Sequence, residues 1–144
     1  MRASYGSVAG GLAVLLLVQV WACVGSTVVN PSDGRVAEGL WGGQHIALTV
    51  TSTGAQVEFD CASGEIVKPL IADGQGRFSI DGVYVQGHPG PIRVDEIPVS
   101  KPARYSGRLD GVTMTLDITL TDSSGTIGTF TLTRGGFPRV IKCL

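Results

Sequence analysis

Residues 104–134 read RYSGRLDGVTMTLDITLTDSSGTIGTFTLTR, and their pattern decides the fold class. Met114, Leu116, Ile118 and Leu120 alternate with Thr113, Thr115, Asp117, Thr119 and Thr121. A period of two turns one strand face to a core and the other to water. Asp110 and Gly111 separate this run from the one before it, and residues 122–125 (DSSG) separate it from the one after. Asp and Gly tolerate the positive φ that tight hairpin turns demand, so the stretch is expected to form three consecutive antiparallel strands.

Working outward, the same alternation recurs on the N-terminal side. Gly39-Leu40-Trp41 leads through Gly42-Gly43 into Ile46, Leu48 and Val50, which alternate with Ala47, Thr49 and Thr51. After a turn at Ser52-Thr53-Gly54, Ala55, Val57, Phe59 and Cys61 share one face, which directs Cys61 inward. A short third strand is expected over residues 65–67, stopped by Pro69, which has no N–H to donate to a ladder. Beyond the turn at residues 72–76, Phe78, Ile80, Gly82 and Tyr84 share a face, with Gly82 marking a bulge or sharp bend. A last extended piece over residues 139–143 is expected to close the sheet. Seven or eight short antiparallel strands in chain order favour a small up-and-down β-barrel, because closure removes exposed edges. A two-sheet β-sandwich is the alternative.

The chain has 144 residues, room for one domain. Residues 1–22 open with Arg2 as their sole charge, continue through an apolar run to Val18 and end on Ala22. That is the build of a secretory signal peptide. Gly10, Gly11 and Gln19 leave about seven uninterrupted apolar residues against the roughly 20 that a membrane span prefers, which sets an uncleaved anchor second. Val20-Trp21-Ala22-Cys23 resembles a bacterial lipobox, which implies lipidation of Cys23 and a place in the periplasm or cell envelope; Trp21 is bulkier than the residue usual there. Ordinary cleavage after Ala22 or Gly25 is the other outcome. Residues 23–38 read as a flexible tether and residues 39–144 as the folded domain.

With Cys23 lipidated or removed, Cys61 and Cys143 remain as an even pair in an oxidising compartment, and a disulfide between them is expected. Removal of Arg2 with the leader leaves ten basic against twelve acidic residues, with no basic patch, which argues against nucleic acid as a partner. His45 and His88 are isolated, and His88 with Asp95 and Glu96 makes a poor metal set, so no metal or other cofactor is expected. Neither GxSxG nor an ordered Ser/His/Asp arrangement is present, and the chain is not read as an enzyme.

Trp41 in the GxW of residues 39–41 and Arg134 in the TLTR of residues 131–134 resemble the lipocalin and calycin pattern. The resemblance implies a Trp closing the barrel base with a late-strand Arg stacked over it, a contact worth roughly 0.5 to 2 kcal/mol. The C-terminal helix of that family has no counterpart here. More widely, WGGQHI (41–46), VEFDC (57–61), ARYSGRLDG (103–111) and GTFTLTRG (128–135) resemble an uncharacterised family of small exported bacterial proteins, a likeness that brings no activity with it.

Residues 87–103 (GHPGPIRVDEIPVSKPA) form the longest turn-like stretch, with Arg93, Asp95, Glu96 and Arg104 at its rim. Long ordered loops in compact domains are uncommon and often functional. Two functions follow from these features. In the first, the barrel interior or its loop-covered mouth takes a small apolar ligand, with Phe59, Phe78, Tyr84 and Met114 among the lining residues and Arg93 at the rim. In the second, those side chains fill the interior, as about eight strands allow, and the loops contact an envelope partner.

Overall fold

The computed structural model describes residues 33–90 and 95–143. Eight strands follow one another: β1 (Gly39–Gly43), β2 (Ile46–Val50), β3 (Ala55–Phe59), β4 (Ala62–Ile66), β5 (Arg77–Gln86), β6 (Ser100–Asp110), β7 (Thr113–Leu120) and β8 (Thr126–Arg134). Each pairs antiparallel with the next, and β8 pairs with β1 to close a barrel. The sheet is therefore one closed ring and not a two-sheet sandwich. The meander of residues 104–134 forms as its alternation requires: Met114, Leu116 and Ile118 are fully buried, and Asp117 and Thr115 face water.

Four local expectations need correction. The first strand is two strands, because Gln44 and His45 make a tight turn in which His45 has φ 64°. The third strand starts earlier, at Ala62, because β3 ends at Phe59 and Cys61 enters the next turn with φ 53°. Cys61 thus sits beyond the end of β3 and not on its inward face. Gly82 carries no bulge: the β5–β6 register runs unbroken from Arg77↔Arg108 to Val85↔Ser100. The irregularity lies between β7 and β8, where Ile118↔Gly128 is followed by Thr119↔Thr126 and Ile127 is the extra residue. Finally, residues 139–143 do not close the sheet. Closure comes from Trp41↔Arg134, Gly42↔Thr133 and Gly43↔Leu132, and the tail adds a lone parallel bridge, Gln44↔Arg139.

Two inward glycines explain how the interior is filled. A side chain on Gly64 would come within 2.1 Å of the Tyr105 hydroxyl, and one on Gly107 within 2.2 Å of the Phe78 ring. Each aromatic ring occupies space left by a glycine without a Cβ, Phe78 on the adjacent strand and Tyr105 from two strands away. Tyr105 is fully buried, and its hydroxyl donates to the Val83 carbonyl at 2.7 Å, so the polar tip is satisfied. Burial holds its phenol far above the ordinary tyrosine range, and it stays neutral.

The base of the barrel is sealed by chain that lies before β1. The expected tether falls partly outside the described residues, but Val36 and Ala37 belong to the buried core. Val36 N–H donates to Leu70 O and Ala72 N–H to Gly34 O, both at 2.9 Å, while Arg35 Nη1 reaches Ser52 O at 2.7 Å. This two-segment cap lies at the end holding the β2–β3 and β6–β7 turns. The opposite end, the mouth, holds the turns at residues 44–45 and 60–61 and the loop after β5.

Candidate functional site: a cleft at the barrel mouth

The mouth is shaped by two segments that fold over it. One is the connection between β5 and β6, described at residues 87–90 and 95–99 and shorter than expected because β6 already starts at Ser100 and runs through Pro102. β7 pairs with β6 as far as Ala103↔Leu120, and just beyond it Thr121 N–H donates to the Pro102 carbonyl at 3.0 Å, so the proline sits at the end of that ladder, accepting without donating. The other is the C-terminal tail. Gly135, at φ 68°, turns the chain back after β8, and residues 136–138 lie over Gly42 on the outside of β1. From there the tail crosses the mouth. Arg139 N–H donates to Gly43 O, His45 N–H to Arg139 O and Cys61 N–H to Ile141 O. Cys61 and Cys143 form a disulfide, with Cα atoms 4.9 Å apart.

Both left-handed residues, His45 and Cys61, therefore present their backbone N–H groups to the tail. Asp60 joins the same junction, accepting from Ile141 N–H at 2.7 Å through one oxygen and from His45 Nδ1 through the other. The Ile141 N–H, with a smaller contribution from His45, holds the Asp60 carboxyl below the usual carboxylate range.

Between loop and tail lies a cleft of about 450 Å³. Phe59, Ala62, Val85, Ile97, Pro98 and Val99 give it apolar walls, and His88, Glu96 and Lys142 bring charge to it. Val85 and Ser63 pair on the outer face of β4–β5, whereas Phe59 pairs with Ala62 on the inner face, so the cleft wraps over the barrel rim. Its floor is anchored by an aromatic cluster: the Phe59 ring lies 5.5 Å from Tyr84 and 5.6 Å from Phe130, both tilted. The charges are matched locally. Lys142 Nζ binds Glu58 Oε2 at 2.7 Å, and His88 Nε2 contacts Glu96 Oε1.

The His88 contact clasps the two ends of the loop. Its Nδ1 meets the Pro89 carbonyl, and that bond, followed by Glu96, raises the imidazole above its ordinary value of 6.5. A raised folded value means that the clasp is fully formed below pH 6.5 and is lost as pH rises through the higher folded value. An NMR titration should return a His88 pKa above 6.5 that falls back when Glu96→Gln is introduced; an unchanged value in that variant would rule out the clasp.

The ligand residues expected from sequence divide between the two ends. Phe59 lines the cleft and Tyr84 packs behind it. Phe78 and Met114 lie toward the base, opposite Gly107 and Leu109 respectively, and are core. Arg93 lies outside the described residues, as do Cys23 and residues 1–22. Arg104 is on the outer wall, donating to Asp81 Oδ1 at 3.0 and 2.7 Å across β5–β6. Trp41 and Arg134 face each other across the closing seam; the buried indole donates to Ala37 O at 3.0 Å, and Arg134 is exposed at the strand end. Among the described residues, no three His, Cys, Asp or Glu side chains gather as a metal site.

Ala62, Val85, Ile97, Val99 and Lys142 went unrecognised in the sequence. The readable signal was Ile97-Pro98-Val99, an apolar triplet directly after the acidic pair Asp95-Glu96. Val85 follows the inward Tyr84 and is apolar where the alternation calls for a polar residue. No protein-family model matches this chain, and neither a curated protein nor a solved structure matches it.

Proposed function

We propose that this protein is an exported, lipid-anchored binding module that takes a small apolar ligand in the mouth cleft. The observation that carries the reading is the cleft of about 450 Å³, apolar-walled and bordered by His88, Glu96 and Lys142, on a barrel whose interior is filled. Volumes of roughly 300 to 1,000 Å³ with a few polar groups are typical of small-molecule sites. Because the charges near the cleft pair with one another, a neutral apolar molecule enters without stripping a counter-ion from any of them. Export and anchoring rest on residues 1–23 and agree with a disulfide pair, which persists in oxidising compartments.

A titration with a neutral fluorescent amine, N-phenyl-1-naphthylamine, tests the site. Ala62→Trp fills the cleft and should weaken the probe by about tenfold or more, the effect of losing some 1.4 kcal/mol of contact. Val112→Thr, on the β6–β7 turn at the base, should leave it unchanged. Equal affinity in Ala62→Trp would remove the cleft as the site. A second reading, contact with an envelope protein, is favoured by Ile97 and Val99, which are 86% and 70% exposed on the loop. Native mass spectrometry of protein from its own envelope separates the two by the mass of what is retained.

A further inference from the structure

The tail forms part of the cleft wall, yet none of its residues is buried. None of residues 135–143 belongs to the hydrophobic core. Phe137 is 92% exposed and Ile141 is 65% exposed, and Val140 is only part-buried. Its attachments to the Asp60 and Glu58 carboxylates are exposed, where water competes for both, and the others at the mouth are the three backbone bonds to Gly43, His45 and Cys61. The disulfide alone ties its end covalently to the barrel, and Cys61, Cys143 and Lys142 all line the cleft. Barrel closure does not involve the tail, because β1 pairs directly with β8.

We propose that the Cys61–Cys143 disulfide is a redox latch on the cleft. Reduction frees residues 140–143 from the mouth, removes the wall that Lys142 and Cys143 supply, and weakens apolar ligand binding while the barrel stays folded. The co-reactant is a dithiol, of a protein or a small molecule. One of its thiolates attacks a sulfur of the disulfide, forming a mixed disulfide and expelling the other cysteine. The second thiolate then displaces the remaining cysteine. Cys61 and Cys143 end as thiols, having gained two electrons and two protons, and the dithiol ends as a disulfide. Both cysteines are partly exposed and line the cleft.

The ligand-gating half rests on the cleft being a binding site; release of the tail does not. Hydrogen exchange on the full-length chain, oxidised and after dithiothreitol at neutral pH, tests release. The His45, Cys61 and Ile141 amides, all bonded between tail and mouth, should exchange at least about tenfold faster after reduction, while Tyr105 and Leu116 remain far slower than any of the three. Oxidised rates persisting after reduction would overturn the latch. So would exchange at Tyr105 and Leu116 as fast as in the tail junction, which would make the bond a staple of the whole fold.

The same samples titrated with N-phenyl-1-naphthylamine should show affinity falling about tenfold on reduction. Cys61→Ser/Cys143→Ser should match the reduced protein with or without dithiothreitol. Unchanged or tighter binding after reduction overturns the gating. Absence of binding to the oxidised protein overturns the cleft reading and the gating with it, while exchange still decides the latch.

Discussion

Trp41→Ala is expected to lower the unfolding free energy by about 3 to 5 kcal/mol, the range for removing a large buried aromatic. Trp41 is fully buried in the shortest class of strand in the barrel, five residues long, and that strand meets β8 through three residue pairs. The truncation leaves a cavity beside the closing seam. It also orphans the Ala37 carbonyl, which now accepts the indole N–H and helps fix the base cap. Trp41→Phe fills part of the volume without supplying the donor and should fall between the two. Urea unfolding followed by far-UV circular dichroism measures the change, since Trp41 is itself the fluorophore that intrinsic emission would follow. A loss below about 1 kcal/mol would mean that the seam is not where stability concentrates.

The double variant Cys61→Ser/Cys143→Ser carries the second large effect. The two cysteines are 82 residues apart in sequence. For a loop of that length the chain-entropy model gives roughly 4 to 5 kcal/mol, an upper figure because native strain subtracts from it. The effect acts on the unfolded chain, which the bond restricts, and not on packing. That is why loss of the bond can lower global stability while the folded barrel keeps its core. Chemical denaturation of the wild type with and without dithiothreitol should show the same difference as the double variant. A midpoint unmoved by reduction would contradict it.

Much of the barrel was readable because its strands are legible locally. Phe78, Tyr84, Met114 and Leu116 announce their inward faces by alternation alone, and Asp110-Gly111 announces its turn. The turns at residues 44–45 and 60–61 were not readable, since His45 and Cys61 adopt positive φ where glycine, asparagine or aspartate is the usual signal. Their conformations are stabilised from far away in the chain, by a tail that accepts their N–H groups. Misplacing those turns merged β1 with β2 and pushed Cys61 into a strand. The candidate site suffered the same way. Phe59 was found because it is inward and aromatic. Val85 and Ile97 were missed because an outward strand residue and a loop residue become neighbours only when the loop folds back over the rim.

What the chain determined by itself was the alternating strands, their antiparallel order in sequence and the pairing of its two late cysteines. Side-chain direction repeats every two residues, and hairpin geometry is set within a few residues, so both are written in short stretches. The tertiary structure alone decided that β8 meets β1, that residues 34–37 and 70–72 seal one end, and that loop and tail leave a cleft at the other. Closure depends on twist and stagger accumulated over all eight strands. A cleft depends on segments distant in sequence reaching the same rim, and no local pattern records either.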